Sequence, residues 1–199
     1  MLAQYTEDQR DCLQEICNVA LGQAADSLAR KLDVFVTLPI PVINIIEANQ
    51  LAATLSSDNA EDGIFAVSQL FASKTDGSAL SGLAVVVLSE ASLDELKVLM
   101  PELPSVHQLV KEAGQLMAQS CLDALSEQWD LNFKAEEPLL EEHQPIESLC
   151  KSLVGGWKTV LLVEINYQLE GRQFNGDLLL LFPDQAIAAL AQRLDQLLA

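Results

Sequence analysis

The sequence predicts an α+β fold in which two pseudo-symmetric halves pack long helices on the apolar face of a largely antiparallel sheet. The first supporting observation is the order of predicted elements, since a long helix, a strand, a hairpin and a helix follow one another twice. The second is an internal alignment, at a shift of 97 positions that becomes 94 towards the end of each half. The aligned pairs are Glu15 with Glu112, Asp33 with Asp130, Pro41 with Pro138 and Gly82 with Gly176. We therefore expect one domain over residues 1–199, with halves of about 1–100 and 101–199.

The first half begins with a long helix. Thr6 and Gln9 form a capping box, and apolar residues recur every three or four positions behind it. Thr75-Asp76-Gly77, between two extended apolar runs, is a hairpin signal. Residues 51–57 fit neither a helix nor a strand clearly. The other predicted elements are the first helix to about Lys31, strands at Val34–Leu38 and Val42–Glu47, a hairpin of Gly63–Ser73 and Ser78–Leu88, and a helix capped by Ser92.

The second half repeats this order. Pro104 and the Ser105-x-x-Gln108 motif start a second long helix. The run Phe174–Phe182 is so apolar that we expect a buried central strand. Residues 140–153 are predicted as a loop with a short helix. The other predicted elements are the second long helix to about Gln128, a strand at Leu131–Glu137, a hairpin of Lys158–Leu169 and Phe174–Phe182, and a closing helix at Asp184–Leu198.

The composition excludes several classes of protein and partner. The chain has 29 acidic and 11 basic residues, which give a formal net charge of −18, and half of its residues are hydrophobic. An electrostatic field of this sign repels nucleic acid and anionic membranes, so we expect neither as a partner. The hydrophobic fraction excludes a disordered chain, and no apolar stretch is long enough to span a membrane.

The cysteine and histidine patterns predict no metal centre. The four cysteines have neither CxxC spacing nor a disulfide framework, and the two histidines lie in no metal-ligand motif. Nucleotide-binding loops and the serine-hydrolase motif are also missing. The first residues lack the pattern of a secretory signal, so we expect a reduced, cytoplasmic protein. Any activity must rest on few residues or on chemistry that a partner supplies.

A polar stripe on the first helix is the main candidate site. At about 100° per residue, Asp11, Glu15, Asn18 and Gly22 lie on one face, opposite the apolar stripe. A carboxylate and an amide thus lie one turn apart, and Gly22 would let another surface approach closely. From spacing alone, the ordinary solvated side of an amphipathic helix is the simpler interpretation.

The full pattern Asp11-x3-Glu15-x2-Asn18-x22-Pro41 resembles the signature of the CheC/CheX/FliY family of chemotaxis phosphatases. That signature has Asp or Ser, then Glu, Asn and Pro at these intervals. The duplicated layout extends the resemblance over the whole chain. CheC is the member it resembles most, because a FliY-type protein would carry a further flagellar-switch domain.

The resemblance implies a phosphatase that hydrolyses the aspartyl phosphate of a receiver domain such as phosphorylated CheY. Glu15 would pair with the receiver's active-site lysine, and Asn18 would orient a water in line with the phosphorus. This chemistry needs positioning and charge neutralisation more than covalent catalysis. Mg²⁺ would be held by the receiver, so we expect no cofactor bound by this chain. Asp11, Gly22 and Pro41 would be supporting residues, with Pro41 shaping a strand end.

The second long helix carries a degenerate copy of the pattern. Glu112 and Pro138 keep their places, but Gln115 stands where the family has Asn, and Gln108 where it has Asp or Ser. Glutamine carries the same amide on a stem one methylene longer, so it would place a water correctly only from a backbone set further back. CheZ, an all-helical phosphatase of the same substrate, uses a glutamine for this task. A weak second site and a relic of duplication therefore both stay open.

The sequence is also compatible with other functions. A non-catalytic module of the same fold would bind a receiver domain or a CheD-type deamidase without turnover. A homodimer would form by strand pairing if the run Phe174–Phe182 lay at a sheet edge. An unrelated small-molecule enzyme has almost no support, because no cofactor motif is visible.

Overall fold

The described residues of the first half form three α-helices, one 3-10 helix and four strands. The computed structural model describes residues 5–55, 64–73, 80–142 and 146–199. The elements are α1 (Glu7–Leu32), β1 (Val36–Thr37), β2 (Val42–Glu47), a short 3-10 helix (Ala48–Gln50), α2 (Leu51–Leu55), β3 (Ile64–Ser73), β4 (Ser81–Ser89) and α3 (Glu90–Leu99).

The second half has the same order of elements. They are α4 (Val106–Gln128), β5 (Phe133–Ala135), β6 (Leu139–Glu142), α5 (Ile146–Leu153), β7 (Thr159–Leu169), β8 (Asn175–Pro183) and α6 (Asp184–Leu198). The predicted α+β class is confirmed, and the origin of the halves by duplication remains our interpretation. None of the helices in the described ranges is long and apolar enough to cross a membrane.

The strands form one antiparallel sheet in which the two halves are interleaved. Its order is β1-β7-β8-β4-β3-β5, with β2 also paired to β7 and β6 also paired to β3. The first two strands of each half therefore pair with the hairpin of the other half. In the central pair of strands, Val85 lies opposite Leu179, and this separation of 94 positions equals the shift found in the sequence. Strand β8 is central, as predicted, so it offers no free edge for a dimer.

Both faces of the sheet are covered, whereas the sequence predicts helices on one apolar face. The long helices α1 and α4, with α3 and α6, enclose the larger core. Helices α2 and α5 cover the other face with buried residues such as Leu51, Leu149 and Val154. In β4 every residue from Gly82 to Leu88 is buried. Such continuous burial is typical of a strand packed on both sides, because packing on one side gives alternation.

The start of α3 also differs from the prediction. Ser89, not Ser92, caps this helix, and its Oγ accepts a hydrogen bond from the Ser92 backbone N–H at 3.3 Å. Ser92 is buried in the first turn, where its hydroxyl donates to the Asn175 carbonyl at 2.7 Å. A contact that is distant in sequence therefore fixes the helix start. The predicted hairpin turn at Thr75-Asp76-Gly77 lies outside the described residues.

Asp184, the first residue of α6, connects this helix to β7. Its carboxylate accepts hydrogen bonds from the Thr159 hydroxyl and from the backbone N–H groups of Lys158 and Thr159. The hydrogen bond from the Thr159 side chain is the main cause that lowers the pKa of Asp184 below its ordinary value. The ionised carboxylate is thus favoured by the folded state.

We expect Asp184→Asn to reduce stability only at a pH where the wild-type carboxylate is ionised. Because folding lowers the pKa of Asp184, the stabilisation is present above the unfolded pKa of about 4 and is lost as the pH falls through the folded value. Urea unfolding of both proteins from about pH 7 to about pH 3 measures this. The difference in unfolding free energy should shrink at the acidic end, and a difference that is independent of pH would contradict the assignment.

Candidate functional site

Helix α1 is held firmly from behind. Thr6 Oγ1 accepts a hydrogen bond from the Gln9 N–H at 3.2 Å, and the Gln9 amide oxygen accepts one from the Thr6 N–H at 2.9 Å, which is the predicted capping box. Gln9 Nε2 also donates to Asp195 Oδ1 of α6 at 2.7 Å. The buried stripe of α1 packs into the larger core through Leu13, Cys17, Ala20, Leu21, Ala24 and Leu28. The outer face of α1 is therefore a fixed surface.

The predicted polar stripe lies on this outer face. Asp11, Glu15 and Gly22 are exposed, and Asn18 is half-buried. The structure shows the Asp11 and Glu15 carboxylates with no ion-pair or hydrogen-bond partner among the residues it describes. Both carboxylates are thus available to a cationic group of a partner.

The Asn18 side chain is hydrogen-bonded on the helix itself. Gln14, one turn earlier and also half-buried, donates from Nε2 to Asn18 Oδ1 at 3.3 Å. The amide keeps its Nδ2 hydrogens and a second lone pair on Oδ1 for other partners. Val19 beside it is 41% exposed and adds an apolar contact. Gln14 is not among the site residues that the sequence predicts, although two amides spaced at i,i+4 on a helix are a recognisable signal.

The two remaining predicted residues have different surroundings. A Cβ atom at Gly22 would have no heavy atom within 4 Å, so the helix surface is open there. Pro41 is buried immediately before β2. It therefore lies outside the exposed face, and this agrees with a role in shaping the strand end.

The corresponding face of α4 has different side-chain contacts. Glu112 is exposed and Gln115 is half-buried, like Glu15 and Asn18. Lys111 replaces Gln14, and its Nζ lies 3.7 Å from Glu137 Oε2. Gln119 replaces Gly22 and donates to Asp123 at 2.6 Å, while the Gln108 side chain accepts a hydrogen bond from the Ser105 hydroxyl at 3.2 Å. The amide of Gln115 thus lacks the hydrogen bond that Asn18 has.

Helix α4 packs very closely on β3. Gly114 takes the place that Cys17 has on α1, and a Cβ atom there would lie 2.7 Å from Val67 Cβ. A side chain at this position would force the helix and the strand apart. The backbone that carries Gln115 is therefore set close to the sheet.

The α1 face combines an acid and an amide with no nucleophile of its own. Burial raises the pKa of the Cys17 thiol to about 12 and that of Cys150 to about 11, and it also raises the pKa of Cys12 and Cys121. The four thiols are thus protonated at neutral pH. The described part of the chain also contains no cluster of three or more potential metal ligands. The face is suited to docking a cation and orienting a polar group or water.

A separate groove lies on the sheet face opposite α1. Its volume is about 530 Å³, and it runs between α2 and α5 past Ala52, Cys150 and Trp157. Its lining is largely apolar. It contributes no side chain to the α1 face.

Comparisons with known proteins identify the fold. No protein-family model and no curated protein matches the sequence of this chain. Its structure is similar to FliY of Thermotoga maritima, with a TM-score of 0.70 and 18% identity over 96% of this chain and 98% of that one. It is also similar to the FliM middle domain of H. pylori, with a TM-score of 0.65 and 11% identity over 94% and 99% of the two chains.

A further similar structure is a chain of the FliG–FliM complex from H. pylori, with a TM-score of 0.60 and 8% identity over 94% and 99% of the two chains. At these identities, the similarity concerns the fold. It extends over nearly the whole length of each compared chain. The chain therefore has the CheC/CheX/FliY-type fold, and the Asp11–Glu15–Asn18 stripe lies on the outer face of its first helix.

Proposed function

We propose that the chain is a phosphatase for the aspartyl phosphate of a CheY-type receiver domain, in chemotaxis or related two-component signalling. The observation that carries the proposal is the exposed face of α1. On this face the unpaired Glu15 carboxylate and the Asn18 amide lie one turn apart, and the helix itself is packed firmly into the core. The fold and the Asp11–Glu15–Asn18–Pro41 pattern support it. This role would place the protein in the cytoplasm with its substrate.

In this mechanism Glu15 docks the receiver and Asn18 acts on the reacting water. The carboxylate pairs with the active-site lysine of the receiver, and the contact gains strength as the interface excludes water. Asn18 Oδ1 accepts a hydrogen bond from the water, while Nδ2 donates one to a phosphoryl oxygen. An amide does both without titrating. Mg²⁺ held by the receiver supplies charge neutralisation when bound, and this chain supplies position.

The surroundings of Asn18 favour close docking of a protein surface. Gly22 leaves one end of the stripe open, and Val19 offers an exposed apolar contact. A receiver could thus approach the helix backbone near Asn18. Water excluded from that contact no longer competes with the amide for the phosphoryl group.

The test measures the decay of a phosphorylated CheY-type receiver from the same cell, with Mg²⁺, at a small molar fraction of this protein. We expect the decay rate to rise in proportion to the amount of protein added, with many receivers dephosphorylated per molecule. A decay rate that does not change would contradict the proposed activity. Asp11→Ala serves as a neighbouring control and should reduce the rate less than Asn18→Ala does.

A binding module without turnover is the second candidate. One structure with the same fold is a chain of a FliG–FliM complex, so this fold also occurs in an assembly of flagellar proteins. In that case the α1 face or the groove between α2 and α5 would hold a receiver or a CheD-type deamidase. The two candidates differ in one measurement, because a binder forms a complex with the phosphorylated receiver without accelerating its decay.

The α4 face could supply a weaker second site. Gly114 lets α4 sit close to β3, and this compensates in part for the longer stem of Gln115. Against this, Gln119 occupies the place that is open at Gly22. We therefore assign the main activity to Glu15 and Asn18 and keep Glu112 and Gln115 as a degenerate site.

A further inference from the structure

We propose that Gln14 is a positioning residue that holds the Asn18 amide ready for the reaction, an inference that rests on the phosphatase proposed above. The two side chains lie one turn apart on α1, and Gln14 Nε2 donates to Asn18 Oδ1 at 3.3 Å. Both are half-buried, so the contact forms at the edge of the docking surface. Gln14 itself stays beside the site and touches the reacting atoms only through Asn18.

A restraint of this kind matters because an asparagine side chain on a helix has several conformations. Two of the three staggered χ1 wells are accessible in a helix, and each allows two senses of the amide plane. Roughly one state in four then presents the oxygen and the nitrogen in the productive places. The hydrogen bond from Gln14 favours the state in which Oδ1 faces the start of the helix and Nδ2 faces away. Preorganisation of this kind raises kcat, the rate when all of the protein is bound to receiver, and has little effect on KM.

The α4 helix provides an internal comparison. Its residue at the corresponding position is Lys111, and the Lys111 ammonium lies 3.7 Å from Glu137. The Gln115 amide therefore lacks a restraint from the preceding turn. The difference between the two helices agrees with one main site on α1 and a degenerate one on α4.

The experiment replaces Gln14 by side chains of similar length and different hydrogen-bonding capacity. Gln14→Met removes the hydrogen bond and keeps helix propensity, so we expect kcat to fall about fourfold with KM little changed. Gln14→Lys keeps a donor and should retain kcat within about twofold. Gln14→Glu offers only an acceptor, reverses the favoured sense of the Asn18 amide, and should have the lowest kcat of the series. Lys111→Met is the matched control on α4 and should leave kcat unchanged.

A kcat that decreases from Gln14→Lys to Gln14→Met to Gln14→Glu supports the role of a hydrogen-bond donor at position 14. Equal kcat values for all three variants, or a change confined to KM, would overturn the proposal. Thermal unfolding of each variant shows whether α1 stays folded. A purely structural role would change the unfolding temperature and leave the order of kcat values unrelated to hydrogen-bond donation.

A second readout is independent of turnover. The side-chain amide resonances of Asn18, assigned through their loss in Asn18→Ala, report its conformation in ¹H–¹⁵N NMR spectra of the full chain. We expect them to shift and broaden in Gln14→Met and to shift differently in Gln14→Glu. Unchanged resonances would overturn the positioning role even if the protein is an active phosphatase. Conversely, if the wild-type protein does not accelerate decay, the proposed function fails while the NMR comparison still decides the contact.

Discussion

Asn18→Ala is expected to reduce the turnover of a phosphorylated receiver by at least about 10²-fold, the size typical of losing one polar group that acts in the transition state. The reason is that alanine retains the helix but cannot hold the water in line. Stability should not fall, because alanine is about 0.5 kcal/mol more favourable in a helix than asparagine. Receiver decay with Mg²⁺ and urea unfolding, measured on one preparation, separate the two effects.

The matched control is Gln115→Ala, at the corresponding position of α4. If the α1 face is the main site, this variant retains most of the phosphatase activity. The double variant then dephosphorylates the receiver only slightly more slowly than Asn18→Ala alone. Full activity in Asn18→Ala would contradict the main site on α1. Activity that survives Asn18→Ala and is lost in Gln115→Ala would move the site to α4.

The sequence predicts α1 well because its determinants are local. The cap at Thr6 and Gln9 and the spacing of Leu13 and Cys17 depend only on helix geometry, and the structure has both. The same geometry places Asp11, Glu15 and Asn18 on one outer face, which can be deduced before any contact is known. The chemical role of that face comes from the family resemblance and stays a prediction.

Other features depend on partners that are distant in sequence. The buried Ser92 bonds to Asn175, so the helix start moves to Ser89. Strand β6 pairs with β3 of the other half, so residues predicted as a loop join the sheet. The burial of both sheet faces likewise requires α2 and α5, which are only five and eight residues long. Segments this short do not distinguish a helix from other structures by hydrophobic periodicity. The local sequence pattern does not predict such contacts between distant segments.

Gln14 illustrates a different limit. Its spacing from Asn18 is visible in the sequence, but glutamine on a helix surface usually contacts only water. In the structure Gln14 adopts a rotamer in which its Nε2 donates a hydrogen bond to Asn18 Oδ1. Sequence can thus propose which residues share a face, while the hydrogen bonds within that face depend on side-chain conformation.

The largest stability loss is expected for Phe182→Ala, in the strand that unites the two halves. Phe182 is fully buried in β8, and its ring meets Phe71 and Trp129 edge-to-face at centroid distances of 5.5 and 6.1 Å. Its truncation leaves a cavity beneath the end of α4, where Arg193 Nε donates to the Trp129 carbonyl at 2.8 Å. A buried Phe→Ala change costs about 3–5 kcal/mol, a large part of the roughly 5–15 kcal/mol typical of a domain.

We expect this loss to lower the unfolding temperature by about 10 °C and the urea midpoint in proportion. Phe35→Ala is the control, because Phe35 is 64% exposed and its removal should cost less than about 0.5 kcal/mol. A Phe182→Ala protein no less stable than Phe35→Ala would show that the cluster of Phe71, Trp129 and Phe182 does not hold α4 to the sheet. If the loss occurs as expected and Phe182→Ala still accelerates receiver decay at a temperature where it stays folded, the substitution acts on the stability of the core and leaves the proposed site intact.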